Sequence, residues 1–120
     1  MLPIKRRVKK ESFAKIMKDG VFLHAPNLYL RFLCPTSLEL HGANLQASRF
    51  GFVVPNKVKK TSVGRHLIKR SLTSIVEKVL PEIRNGFSCL FFVKKDITLI
   101  SNQEIEKETI DLLKKAKILS

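Results

Sequence analysis

The order of elements between residues 49 and 93 constrains this chain's fold more than any other feature. Arg49-Phe50-Gly51-Phe52-Val53-Val54 reads as a strand closed by Pro55-Asn56. A Lys-rich loop over residues 57–61 follows. Thr61 or Ser62 can then cap a long helix running to about Leu80, with Pro81 soon after. Ile68, Leu72, Ile75, Val76 and Val79 fall in one stripe of that helix, spaced to pack on a sheet. Phe87 to Val93 reads as another strand. A strand, an amphipathic helix and a second strand in succession predict helices layered on a sheet.

The flanking segments extend this pattern. Residues 11–19 read as a short helix, with Phe13, Ile16 and Met17 on one face, Lys15 and Lys18 on the other, and Gly20 at its end. Residues 21–34 are strand-like. Within them Leu28, Leu30, Phe32 and Cys34 make one apolar face, while Tyr29 and Arg31 point the other way. Residues 38–48 are ambiguous, and Leu38-Glu39-Leu40-His41 can extend a hairpin before Gly42-Ala43-Asn44. Ser101 or Asn102 caps a last helix whose apolar side is Ile105, Leu112 and Leu113, flanked by Ile110. Glu104, Glu106, Glu108 and Asp111 near its start and Lys114, Lys115 and Lys117 near its end suit the helix dipole. The predicted class is α+β: one α/β sandwich domain over residues 1–120, in the order α-β-β-(β)-α-β-α, with a basic arm at residues 1–10.

Composition excludes several functions. The longest apolar runs, such as Leu90-Phe91-Phe92-Val93, are too short to span a bilayer, and Met1-Leu2-Pro3-Ile4-Lys5-Arg6-Arg7 has no apolar stretch behind it to act as a secretory signal. Cys34 and Cys89 lie in strand-like runs and read as buried free thiols of a cytoplasmic protein. No Cys/His spacing resembles a zinc site. His24, His41 and His66 are scattered, and no two carboxylates fall close together in the basic region. A protein nuclease needs such groups at the phosphate. The expectation is therefore no catalytic residue in the protein, no metal site and no cofactor bound by the protein alone.

Charge points to the partner. Lys and Arg total 23 against 10 Asp and Glu, a formal net charge of +13. No acid occurs between Glu39 and Glu77, a stretch that holds Arg49, Lys57, Lys59, Lys60, Arg65, Lys69 and Arg70. Lys5, Arg6, Arg7, Lys9 and Lys10 add a basic arm without an acid. Such a run costs self-repulsion, which a bound polyanion offsets. On the long helix, Arg65, His66, Lys69, Arg70 and Thr73 fall opposite the apolar stripe and are expected to face solvent. The Lys57–Lys60 loop sits at the helix N-terminus, whose free N–H groups also favour phosphate. Tyr29 and Arg31, an aromatic beside a cation on a sheet face, suit single-stranded RNA.

The run from Arg49 to Lys60, followed by Arg65-His66-Leu67-Ile68-Lys69-Arg70, resembles the protein subunit of bacterial ribonuclease P. That family carries an R-x-G strand, a Lys-rich loop and a helix opening with R-N-R-x-K-R. Lys9 to Gly20 resembles its first helix and Phe87 to Lys95 its last strand, so the resemblance covers about residues 4–116. There are departures: R-N-R appears here as Arg65-His66-Leu67, a further Arg one turn on is Thr73, and the second aromatic of the first helix is Met17.

The resemblance implies a left-handed β-α-β crossover, against the general right-handed rule. It also implies a small protein partner of a catalytic RNA, which uses magnesium ions to remove the 5′ leader of precursor tRNA. Lys57, Lys59, Lys60, Arg65, His66, Lys69 and Arg70 would then dock on the catalytic RNA. Phe13, Met17, Tyr29, Arg31, Lys57 and Thr73 would line the leader cleft. The expected partners are that RNA and precursor tRNA, with no membrane and no obligate protein partner. Two alternatives have the same charge: a ribosomal or ribosome-assembly protein without a role in cleavage, and a self-sufficient nuclease.

Overall fold

The computed structural model describes residues 8, 10–33, 48–84, 86–97 and 100–119. In chain order the elements are α1 (Lys10–Asp19), β1 (Val21–His24), β2 (Leu28–Leu33), β3 (Arg49–Val53), α2 (Ser62–Val79), a 3-10 turn (Leu80–Glu82), β4 (Ser88–Val93) and α3 (Asn102–Lys115). The strands form one four-stranded sheet in the order β1-β2-β4-β3. β2 is antiparallel to both neighbours, while β3 and β4 are parallel and joined by α2. Among the described residues, no helix is long and apolar enough to cross a membrane.

The strand-like run 21–34 is two strands, not one. Ala25-Pro26-Asn27 breaks it, the Ala25 N–H donates to the Leu28 carbonyl at 2.9 Å, and β1 folds back with Val21 opposite Phe32 and His24 opposite Tyr29. The fourth strand therefore comes from this hairpin. The other hairpin, expected within residues 38–47, lies outside the described residues, as do Cys34, His41 and residues 1–7 of the basic arm.

Alternation along the strands divides the interior in two. Leu28, Leu30, Phe32, Phe50, Cys89, Phe91 and Val93 face one side, where they pack with Ile68, Leu72, Ile75 and Val76 of α2 and Ile105, Leu112 and Leu113 of α3. Leu90 and Phe92 face the other side and pack with Ile16 of α1. Val8 joins this second cluster, and its N–H donates to the Phe50 carbonyl at 3.2 Å. Gly51 makes room there. A Cβ at Gly51 would sit 2.7 Å from Leu90 Cδ2 and 3.4 Å from Val8 Cβ. Cys89 is fully buried in the first of these clusters.

Both expected helix caps form. Thr61 Oγ1 accepts from the Gly64 N–H, and Ser101 Oγ accepts from the Glu104 N–H. Not every acid of α3 serves the helix dipole, however. The Glu108 carboxylate accepts from the Asn27 N–H (2.7 Å), Asn27 Nδ2 (3.1 Å) and the Leu28 N–H (3.2 Å), fastening the β1–β2 turn to α3. Glu108→Ala orphans these partly buried donors and is expected to lower stability by about 1–3 kcal/mol in urea unfolding. Asp111→Ala, an exposed change on the same helix, is expected to stay within about 0.5 kcal/mol.

Candidate nucleic-acid interface

The basic side chains around the N-terminus of α2 fall into two groups. Lys57, Lys60, His66, Lys69 and Arg70 are exposed, and none forms an ion pair or side-chain hydrogen bond among the described residues. Lys59 and Arg65 are instead used within the protein. Lys59 Nζ pairs with Asp96 Oδ2 at 2.9 Å. Arg65 Nη1 donates to the Lys59 carbonyl (3.0 Å) and the Lys60 carbonyl (2.9 Å), and its Nη2 to Ser62 Oγ (3.2 Å).

Arg65 is expected from the sequence to stand on the solvent face with Lys69 and Arg70, and the structure corrects this. Arg65 lies next to the apolar stripe, and helical side chains lean toward the N-terminus, so its guanidinium reaches back over the loop. Its role is to hold the loop in shape. Gly64 completes this packing: a Cβ there would lie 2.7 Å from Lys59 Cγ and Cε and from Thr61 Oγ1. Lys59 can cross the first turn of α2 only because position 64 has no side chain.

The second surface is the sheet face that carries α1. Tyr29 stacks on Phe92, with centroids 4.6 Å apart and planes at 6°. Phe22 lies 4.8 Å from Tyr29, and His24 packs edge-on against Phe22 at 4.1 Å. Lys94 Nζ donates to His24 Nδ1 (2.9 Å) and to the Ala25 carbonyl (3.0 Å), and lies 5.9 Å from the Tyr29 ring centre. Sequence reasoning does not group Phe22, His24, Phe92 and Lys94 with Tyr29. Phe22 and His24 share a face with Tyr29 only once the chain turns at Pro26, and that proline is the signal that could have found them.

Met17 and Tyr29 both pack against the Ile16–Leu90–Phe92 cluster. Phe13, one turn earlier on α1, is 39% exposed and belongs to neither core. Arg31 works mostly as a fastener. Its Nη1 donates to the Met17 carbonyl in the last turn of α1 at 2.8 Å, and its guanidinium lies 4.9 Å from the Phe22 ring centre. Its Nε is buried without a partner among the described residues. Thr73 does not join this surface. It belongs to α2, whose buried side packs on the opposite face of the sheet from α1.

Topology links the two surfaces. The C-terminal ends of β3 and β4 lie together because those strands are parallel, and the antiparallel register sets Tyr29 opposite Phe92. Lys57, the start of α2, Lys94 and the aromatic group therefore gather at one end of the sheet. Lys57 comes shortly after the end of β3, and β3 itself stands two strands from β2, which carries Tyr29, or roughly 10 Å at the usual strand spacing.

A family model described as Ribonuclease P matches residues 2–117. The chain belongs to the ribonuclease P protein family. It is 30% identical to the ribonuclease P protein component of a Pseudanabaena species over 99% of this chain and 97% of the relative. Identity to the component from Synechococcus elongatus is 31%, over 92% and 88%. Two solved structures share the fold. The Staphylococcus aureus RNase P protein superposes with a TM-score of 0.78 at 19% identity, covering 96% of this chain and 98% of that one. The Thermotoga maritima RNase P protein gives 0.75 at 21%, covering 91% and 96%.

Within this ribonuclease P family member, the arginine kept from the R-N-R motif is the one that braces the loop. Gly64→Ala tests that packing. Alanine ordinarily stabilises a helix interior by about 1 kcal/mol over glycine. Here the displaced Lys59 and the disturbed Thr61 cap are expected to reverse the sign, giving a net loss of about 1 kcal/mol in chemical denaturation.

Proposed function

We propose that this ribonuclease P protein component docks on the RNA of ribonuclease P through the α2 face and holds the 5′ leader of precursor tRNA on its α1–sheet face. The observation that carries this reading is the separation of two groups at one end of the sheet. Exposed basic side chains (Lys57, Lys60, His66, Lys69 and Arg70), none of them in an ion pair or side-chain hydrogen bond among the described residues, stand on one side, and an aromatic group with Lys94 beside it on the other. The first suits a phosphate backbone and the second suits unstacked bases.

The protein's part is electrostatic and positional. Two polyanions repel, and a chain of net charge +13 between them lowers that repulsion. In this reading the RNA subunit carries the chemistry with its magnesium ions, so raising magnesium or salt partly replaces the protein. The site of action is the cytoplasm, where precursor tRNA is processed. Family membership favours this reading over a ribosomal one.

Reconstitution tests it. Adding the protein to ribonuclease P RNA at low magnesium is expected to give 5′ processing of precursor tRNA, and no stimulation would reject the proposal. Neutralising Lys69 and Arg70 together is expected to weaken RNA binding and reduce the log–log salt slope by about 0.7–0.9 for each phosphate no longer held. Phe13→Ala is expected to weaken leader-bearing precursor more than mature tRNA, by about 1–3 kcal/mol if a base stacks there. Equal losses for both substrates in binding titrations would remove Phe13 from the leader path.

A further inference from the structure

A groove of about 410 Å³ runs between α2 and α3, beside the cationic face but distinct from it. Leu67 and Ile75 supply apolar wall, and Ser71, Ser74 and Asn102 supply hydroxyl and amide groups. Arg70 lies at the lip, and at Lys78 the groove is bounded by the Lys78–Glu106 ion pair of 3.3 Å. A cavity of about 210 Å³ adjoins it, sharing Leu67, Ser71 and Asn102, and its remaining lining is Ile68, Ile97, Ile100 and Ile105. Leu67 is 51% exposed, and its neighbours on the helix surface are Val63, itself 73% exposed, one turn before it and Arg70 and Ser71 one turn after. Two exposed apolar side chains beside Arg70 have no use in binding phosphate.

We infer that this groove receives an unstacked nucleobase of the RNA that docks on α2, with Leu67 against the base and Arg70 on its phosphate. The inference rests on the proposed docking of RNA at this face. Apolar wall, an apolar floor and a few hydroxyl and amide groups match a heteroaromatic ring with polar edges, and the volume is in the range of about 300–1,000 Å³ usual for small-molecule sites. Among the described residues the groove's only carboxylate, Glu106, is already paired with Lys78, leaving Arg70 free for an anion. An apolar peptide would leave that guanidinium without a partner, whereas a nucleotide carries its own phosphate.

Ser74→Trp fills the groove from an exposed position, so the fold is expected to persist and circular dichroism checks it. Its Kd for ribonuclease P RNA is expected to rise about 10-fold with an unchanged salt slope, because a base is displaced while every phosphate stays bound. Lys69→Ala with Arg70→Ala, measured alongside, reports on docking itself. Unchanged affinity for Ser74→Trp, while the double variant weakens binding, overturns the base site and leaves the docking face intact. A weaker complex with a smaller salt slope for Ser74→Trp puts phosphate in the groove and also overturns it. If neither set of changes alters binding, the docking face and the base site fall together. Ser74→Leu, a smaller plug, gives the same reading should the tryptophan variant fail to fold.

Discussion

The fold depends on burial of both faces of β4. Cys89, Phe91 and Val93 point into the core under α2 and α3, while Leu90 and Phe92 point into the cluster under α1. A strand apolar on both faces is stable only when each face is covered, which requires helices on two sides of the sheet. β2 and β3 flank it and carry the same division outward. The two surfaces proposed to meet RNA follow from this layering. α2 shows its charge on one outer side, and α1 leaves part of the other sheet face open.

Charge in this molecule is partly structural. Arg65 binds backbone carbonyls and Lys59 binds Asp96, so two of the cations in the acid-free stretch shape the loop that displays the rest. Arg31 does similar work for α1 by capping a carbonyl at its C-terminal end, where the helix dipole favours a cation. Net charge alone overstates the cationic surface open to a partner. What remains exposed is nonetheless grouped: His66, Lys69 and Arg70 occupy adjacent turns of a helix whose orientation is set by Ile68, Leu72, Ile75 and Val76.

Much of the fold is legible in the sequence. α2 and its Thr61 cap, β3, β4, α3 and its Ser101 cap all lie within a residue or two of where periodicity and turn residues put them. The break at Pro26 is harder to read, because residues 21–24 alternate weakly and form a strand only by pairing with β2. That ambiguity hides Phe22 and His24 from the site. Thr73 is misplaced for another reason: helical periodicity ranks residues by direction, yet it does not say which sheet face the helix covers. Arg65 lies by periodicity at the edge of the apolar stripe, and what periodicity leaves open is the loop carbonyls within its reach.

The sequence by itself determined β3, β4 and the helices, the apolar stripe of α2 and the excess of positive charge, because these depend on local spacing and composition. Tertiary structure alone decided which cations remain free for a partner and which aromatics stand together. Ion pairs and ring contacts act over a few ångströms, and here they join residues far apart in the chain: Lys59 meets Asp96 across 37 positions, and Lys94 meets His24 across 70.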